Sequence, residues 1–453
     1  MKKKIFSIIA FCFAILSIFT FAGCGVTLSG GPSATDIVTG NGSMSVRKGD
    51  YLYFVNGYVS NSSLTGSDNN YGVARNGAIY RAKLENGKLM YETTEDEDGE
   101  EIKTLTNVEL MVPMVAGFEY TNLYIFGNTL YFTSPNTEKD TTGTIRFDLT
   151  NIYAVSLKGG SPKKLVNALN VDSVNDFDFT EIDNKLYLTY INESNLYVAK
   201  ISGGNVQSNI KVTDKASEFV VDKDSGFVYY TRSFNEGENS VTGNVLAKAN
   251  LSDAIESVVI KDNYNTYSLK EIKNNKLYYT RTNSLTTNAY IYSQDLNNLN
   301  TGSEKQYTAV SYTSNQYIFD LGEGYTNGVI VNENDKLQFL TGIENLENII
   351  NLYDAKFTIF GIYGENIYGL DNDNNIVRVN VQTKDIEVLV SGVEVDSSMK
   401  VNFDYENGYI YYYVKYTGSS DASGYYLNRT YINQQDKETE LVGVLLKEHN
   451  IQE

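Results

Sequence analysis

Asn184-Lys185-Leu186-Tyr187-Leu188, a polar turn, then Asn195-Leu196-Tyr197-Val198-Ala199 is the stretch on which the fold turns. Each half is a short run of β-branched, aliphatic and aromatic residues opened by Asn. Such runs favour strands, and the Asn, Glu and Ser between them favour a tight turn. The first half has close copies elsewhere: Asp50-Tyr51-Leu52-Tyr53-Phe54, Asn128-Thr129-Leu130-Tyr131-Phe132, Gly226-Phe227-Val228-Tyr229-Tyr230, Asn275-Lys276-Leu277-Tyr278-Tyr279, Glu365-Asn366-Ile367-Tyr368 and Gly408-Tyr409-Ile410-Tyr411-Tyr412. The second half recurs after each, as in Ala78-Ile79-Tyr80-Arg81-Ala82, Asn151-Ile152-Tyr153-Ala154-Val155 and Asn375-Ile376-Val377-Arg378-Val379.

Working outward, a third apolar segment closes each unit (Ile386-Glu387-Val388-Leu389-Val390), and another strand precedes it (Phe177-Asp178-Phe179-Thr180-Glu181-Ile182). A weaker copy lies at Gly328-Val329-Ile330-Val331 and Lys336-Leu337-Gln338-Phe339. Four antiparallel strands repeated at roughly 40–50 residues predict the blades of a propeller. The expected fold is all-β, a single β-propeller over residues 44–449 with eight blades, seven being the alternative, and a short tail at 450–453. No amphipathic helix is evident after the N-terminal segment; Glu344–Leu352 is the best short candidate. The acidic run Glu95-Asp96-Glu97-Asp98-Gly99-Glu100-Glu101 predicts a solvated hairpin loop.

Composition agrees with this class. There are 37 tyrosines, no tryptophan and four prolines in 453 residues. The formal charge is −19, and removal of the three lysines in residues 1–23 takes it to −22. So acidic a chain does not favour nucleic acid, which demands cationic neutralisation of phosphates.

The N-terminus opens Met1-Lys2-Lys3-Lys4 and continues as an apolar run to small residues, the pattern of a secretory signal over residues 1–23. Phe21-Ala22-Gly23-Cys24 resembles the bacterial lipobox, with Phe where the family prefers Leu. The resemblance implies cleavage before Cys24 and acylation of Cys24, and hence a lipid-anchored protein on the extracytoplasmic face of the cell membrane. An uncleaved anchor helix and simple secretion are the alternatives. Residues 24–43, rich in Gly and Ser, read as the lipidated Cys and a flexible tether. The only other cysteine, Cys12, lies inside the signal, so the mature domain is expected to hold no disulfide.

The repeat itself, Leu/Ile-Tyr, a loop, then Ile-Tyr-Arg and a Leu before the Gly turn, resembles the YWTD propeller repeats of lipoprotein receptors. It is more similar still to relatives in surface lipoproteins of low-GC Gram-positive bacteria. The resemblance covers most of residues 45–447, with Tyr or Phe in place of the tryptophan. It implies a fold and carries no catalytic residue.

Residues that could carry chemistry are few. The single histidine is His449, close to the C-terminus, which disfavours a Ser-His-Asp triad; cysteine nucleophiles and zinc sites lack their residues. Asp371-Asn372-Asp373-Asn374-Asn375 begins like a calcium loop, but Ile376 stands where Gly is required and Gln382 where Glu is, so a plain turn is expected. No metal and no cofactor is implied. One positional pattern stands out: Arg232, Arg281 and Lys415 fall at the same end of equivalent strands in a chain with eight arginines. The longer loops, 57–77, 134–150, 233–243, 282–288 and 416–424, follow that same strand. This end is a candidate recognition face, with the three cations near an anionic or polar ligand. The competing reading pairs them with neighbouring acids on the rim.

Three functions compete. The leading one is a noncatalytic propeller that binds a protein, peptide or glycan at the cell envelope. A carboxylate-dependent carbohydrate-active enzyme would need a deep pocket with two carboxyls, one of raised pKa. A sensor or structural subunit of an envelope complex would need a broad apolar patch.

Overall fold

The computed structural model describes residues 26–442 except 57, 61–77, 96–98, 100, 113–120, 136–140, 144–148, 166–168, 170–175, 237–240, 301, 309, 342–347, 394–400, 418–422 and 434–438. The fold is an all-β propeller of eight antiparallel blades, so the eight-blade count stands over seven. In each blade the strands, here lettered A to D, are paired in chain order. Blade 3 is representative, with strands Asp176–Ile182, Lys185–Asn192, Asn195–Ser202 and Asn205–Thr213. The B strand is therefore the Leu-Tyr run, with its A strand upstream.

Local chemistry sets this geometry. Asp183 and Asn184 both adopt positive φ (51° and 59°), the conformation of a two-residue hairpin whose twist matches its strands. Asn274-Asn275 and Asn334-Asp335 repeat it. Strands B and C are buried on both faces, which explains why they read as near-continuous apolar runs. Aromatic rings directly opposite one another on B and C stack in four blades: Phe54 on Tyr80, Phe132 on Tyr153, Tyr190 on Tyr197 and Tyr279 on Tyr292, with centroids 5.1–6.2 Å apart. Each such pair contributes about 0.2–1 kcal/mol beyond an alanine pair.

The chain falls into two compact units. The second unit, Leu169–Val401 with Thr430–Glu438, holds blades 3 to 7. Here neighbouring blades are tied through their A strands. Glu218, on the A strand of blade 4 (Ala216–Asp222), accepts from Ser268 Oγ at 3.1 Å and from the backbone N of Leu269 at 2.6 Å, both on the A strand of blade 5 (Asn265–Lys273). Asp320 similarly joins blade 6 to blade 5. Its fully buried carboxyl accepts from Lys276 Nζ at 2.9 Å, from Asn274 Nδ2 at 3.1 Å, from the backbone N of Gly322 at 2.8 Å and from the Tyr278 hydroxyl. Burial alone would raise this carboxyl, but the donors outweigh it and hold its pKa at about 2.

The first unit, Met1–Ala168, Asn402–Arg429 and Thr439–Glu453, holds blades 1, 2 and 8. The four main strands of blade 8 come from the C-terminal part of the chain, and side chains help to join it to blade 1. Arg47 Nη1 donates to Asn407 Oδ1 at 2.8 Å, Asn402 Nδ2 to the Ser45 carbonyl at 3.2 Å, and the Tyr413 hydroxyl to the Val55 carbonyl at 3.2 Å. A short backbone pairing of Tyr58–Ser60 with Ser423–Tyr425 adds to it. Two fully buried arginines on C strands complete the unit: Arg81 pairs with Glu109 and Arg429 with Glu440, each at 2.6 Å and each reaching from strand C to strand D.

Two expectations need correcting. Residues 26–43 are not a free tether. Val26–Thr27 pairs with Gly159–Gly160 in the turn between strands C and D of blade 2, and Val38–Thr39 adds a fifth strand to blade 1. Between them, the carbonyls of Ser29 (2.6 Å) and Gly30 (3.4 Å) accept from the buried Arg81 guanidinium. The Gly-rich composition reflects turns at positive φ, such as Gly40 (78°) and Gly42 (94°), rather than freedom. Second, the helix candidate contributes Asn348–Tyr353 as the D strand of blade 6; its first part lies outside the described residues. The acidic run lies in a hairpin, as expected: Tyr91–Glu95 and Glu101–Leu105 pair antiparallel on either side of its centre. Residues 1–25, with Cys24 and the signal, and 443–453, with His449, lie outside the described residues.

Candidate functional site

The A strands of the second unit build a concavity open to a ligand. Opposite A–B register pairs normally advance together, but the A strand of blade 5 skips between Leu269 and Glu271, leaving Lys270 as a bulge. The A strand of blade 7 (Thr358–Tyr363) skips at the equivalent place, between Ile359 and Gly361, leaving Phe360. A bulged residue loses its ladder partner and turns its side chain away from the pleat. Between these two strands lies the A strand of blade 6, only four residues long (Gln316–Phe319). The outcome is a concavity of about 380 Å³ spanning three consecutive blades.

Its lining is mixed. Blade 5 supplies Lys270, Glu271 and Lys273; blade 6 supplies Gln316, Tyr317 and Ile318; blade 7 supplies Ile359, Phe360 and Ile362. Tyr312, on the approach to blade 6, lies under the Lys270 ammonium at 4.3 Å from the ring centroid. Tyr317 is 37 % exposed, so its ring is open to a ligand face. Glu271 is the one carboxylate in the lining. Burial raises its pKa, with Lys273 opposing and Asp320 adding to the rise. Gln316 is pinned by its Nε2 donating to the Ser311 carbonyl at 2.9 Å, while its buried Oε1 has no partner among the described residues. Such a surface can stack a ring or apolar face and neutralise an anionic group. It lacks the second carboxyl that glycosidase chemistry would need.

The cations singled out from sequence behave differently. Arg232 holds Glu256 through two hydrogen bonds of 2.6 and 2.9 Å, clamping strand B to strand D of blade 4. Burial would raise the Glu256 carboxyl, but hydrogen bonds from Arg232 and Tyr230 (2.7 Å) hold it below its usual value. Arg281 repeats the arrangement in blade 5. It lies 4.0 Å over the Tyr292 ring, donates to the Tyr292 hydroxyl at 2.7 Å, and pairs with Glu304 at 3.4 Å. The Lys415 side chain lies outside the described residues, as do most of the loops that follow these strands. The two arginines are thus engaged within their own blades, in the manner of the rim-pairing alternative.

Asp371 is a turn residue. Its Oδ1 accepts from the backbone N of Asp373 (2.9 Å) and of Asn375 (2.8 Å), which leaves Asn374 at φ 58°. Among the described residues no three His, Cys, Asp or Glu side chains gather as metal ligands, and no helix is long and apolar enough to cross a membrane.

The concavity is not among the sites expected from sequence. Its one visible signal there is Lys270-Glu271-Ile272-Lys273, a run in which three of four residues are charged.

No protein-family model matches this chain, and no curated protein matches it. Solved structures do resemble it in fold. The Dos1 propeller aligns at TM-score 0.44 and 10% identity, covering 88% of this chain and 93% of that one. An oligogalacturonate lyase in complex with manganese aligns at 0.40 and 11%, covering 75% and 96%. The β-propeller domain of the Trilobed protease from Pyrococcus furiosus aligns at 0.33 and 11%, covering 72% and 84%.

Proposed function

We propose that this chain is a noncatalytic binding propeller, anchored at the extracytoplasmic face of a membrane through a lipid on Cys24. Its ligand is a peptide or glycan segment that presents an anionic group beside an apolar or ring face. The observation that carries this reading is the pair of equivalent bulges, Lys270 and Phe360, which flank the short A strand of blade 6 and open the concavity. Cationic Lys270 and Lys273 would meet the charge, and Tyr317 and Phe360 would meet the face.

The test uses a soluble chain beginning at residue 26, because residues 26–43 belong to the fold. It is offered to arrays of acidic and neutral glycans and peptides, alongside Lys270→Glu and Phe360→Ala. Binding confined to anionic probes, and lost in both variants while their melting temperatures hold, is the expected result. Hits that both variants retain in full would remove the concavity as the site. Turnover of a hit that depends on Glu271 would favour the enzyme reading instead.

A further inference from the structure

We infer that the docked N-terminal segment is a strut that orients the first unit on the membrane, with the C–D turn of blade 2 against the lipid headgroups. This inference rests on the lipidation of Cys24. Its structural support is the docking of residues 26–30 on blades 1 and 2. Val26 is paired with Gly160 and Thr27 with Gly159, and the Leu28 backbone N donates to the Lys158 carbonyl at 3.0 Å. Arg81 and Glu109 hold the next residues: Arg81 donates to the Ser29 and Gly30 carbonyls, and Glu109 accepts from Ser29 N at 3.3 Å and Oγ at 3.1 Å. Cys24 is two residues upstream of Val26, and an extended chain covers at most about 7 Å in two residues. A lipid on Cys24 therefore enters the bilayer beside this turn.

Charge agrees with that placement. Residues 150–165 of this acidic protein contain three lysines, Lys158, Lys163 and Lys164, and no acid. Lys158 and Lys163 are exposed. A local cationic hairpin suits an anionic headgroup layer. The opposite end of the same blade is farther out. Its B strand, Thr129–Pro135, is seven residues long, which places the B–C connection roughly 20 Å beyond the C–D turn.

The experiment uses the full chain purified from membranes and reconstituted in phosphatidylcholine–phosphatidylglycerol vesicles carrying a headgroup-linked quencher. A fluorophore is placed by Ser161→Cys on the C–D turn or by Thr141→Cys at the far end. The native Cys24 sulfur is acylated and does not react. Strong quenching at 161 and its loss at 141 is the expected result. Equal quenching at both, or the reverse order, overturns the orientation. A Gly-Ser spacer of about ten residues after Gly25, with a reach of roughly 17 Å, should abolish the difference while leaving vesicle binding intact. A difference that survives the spacer overturns the strut. Vesicle binding undiminished in Cys24→Ser would instead overturn the lipidation reading and the premise with it, an outcome separate from misorientation of an acylated chain.

Discussion

Replacing Asp320 by Asn tests the physical account of how blades 5 and 6 are joined. The carboxylate is fully buried, and four donors converge on it: Lys276 Nζ, Asn274 Nδ2, the Gly322 backbone N and the Tyr278 hydroxyl. Its pKa falls from an ordinary 3.8 to about 2 in the fold. A depressed carboxylate pKa contributes stability that is complete above the unfolded value of 3.8 and disappears as pH falls through the folded value of about 2. The shift converts to about 2 kcal/mol at neutral pH, of which about half is gone by roughly pH 3. The substituted amide could still accept from some donors through its oxygen, but it has no charge for Lys276, and its NH2 group would face other donors. Asp320→Asn should therefore lower the unfolding free energy by at least about 2 kcal/mol at pH 7, and by progressively less toward pH 3. Urea unfolding followed by tyrosine fluorescence is the assay, since the chain has 37 tyrosines and no tryptophan. A gap between the two proteins that stays constant from pH 7 to pH 3 would refute the reasoning. It would mean that the loss at position 320 is one of packing rather than of charge.

Other outcomes follow from the same structure. A chain beginning at residue 44 should unfold at lower temperature than one beginning at residue 26, by calorimetry, because Arg81 loses two charge-assisted acceptors in its buried site; the cost is about 3 kcal/mol or more, and equal melting temperatures would contradict it. For an anionic glycan or peptide hit, affinity should rise as pH falls through the titration of Glu271, whose pKa burial raises, because protonation removes the only negative charge in the lining. Titration calorimetry across pH should lose that slope in Glu271→Gln. Reversing charge at Arg232, Arg281 and Lys415 together should abolish ligand capture if they form a recognition face. If the two arginines only clamp strands B and D, capture persists while stability drops, and binding and melting measured on the same variant separate the two.

Much of the architecture was legible because strands B and C are buried on both faces, and burial writes itself into sequence as Leu-Tyr runs. Tyr187, Tyr229 and Tyr278 are readable for this reason. Strand D escapes notice in blade 5, where it is reduced to Lys305–Gln306. Residues 26–43 misled because Gly and Ser serve either a tether or a chain of tight turns. Distant partners decide between them: the Gly159–Gly160 turn, the first strand of blade 1, and Arg81, whose guanidinium donates to the Ser29 carbonyl. Asn348–Tyr353 shows the related failure, a short apolar run whose strand partner Phe339 lies in another segment. The concavity was hidden because a bulge is a relation between two strands. Lys270 and Phe360 share it without sharing any residue type.

The seam between blades 1 and 8 governs the order of assembly. Arg47 and Asn407, or Ser45 and Asn402, are brought together across nearly the whole chain. Blade 1 is synthesised before blade 8, so these contacts cannot form until the last blade is complete. Closing so long a loop costs roughly 5 kcal/mol of chain entropy, which the late seam must offset. The open intermediate thus exposes the edge of blade 1 for most of the chain's synthesis. Chaperones and proteases would meet the protein at that edge, and substitutions in the seam should alter yield more than they alter the finished fold.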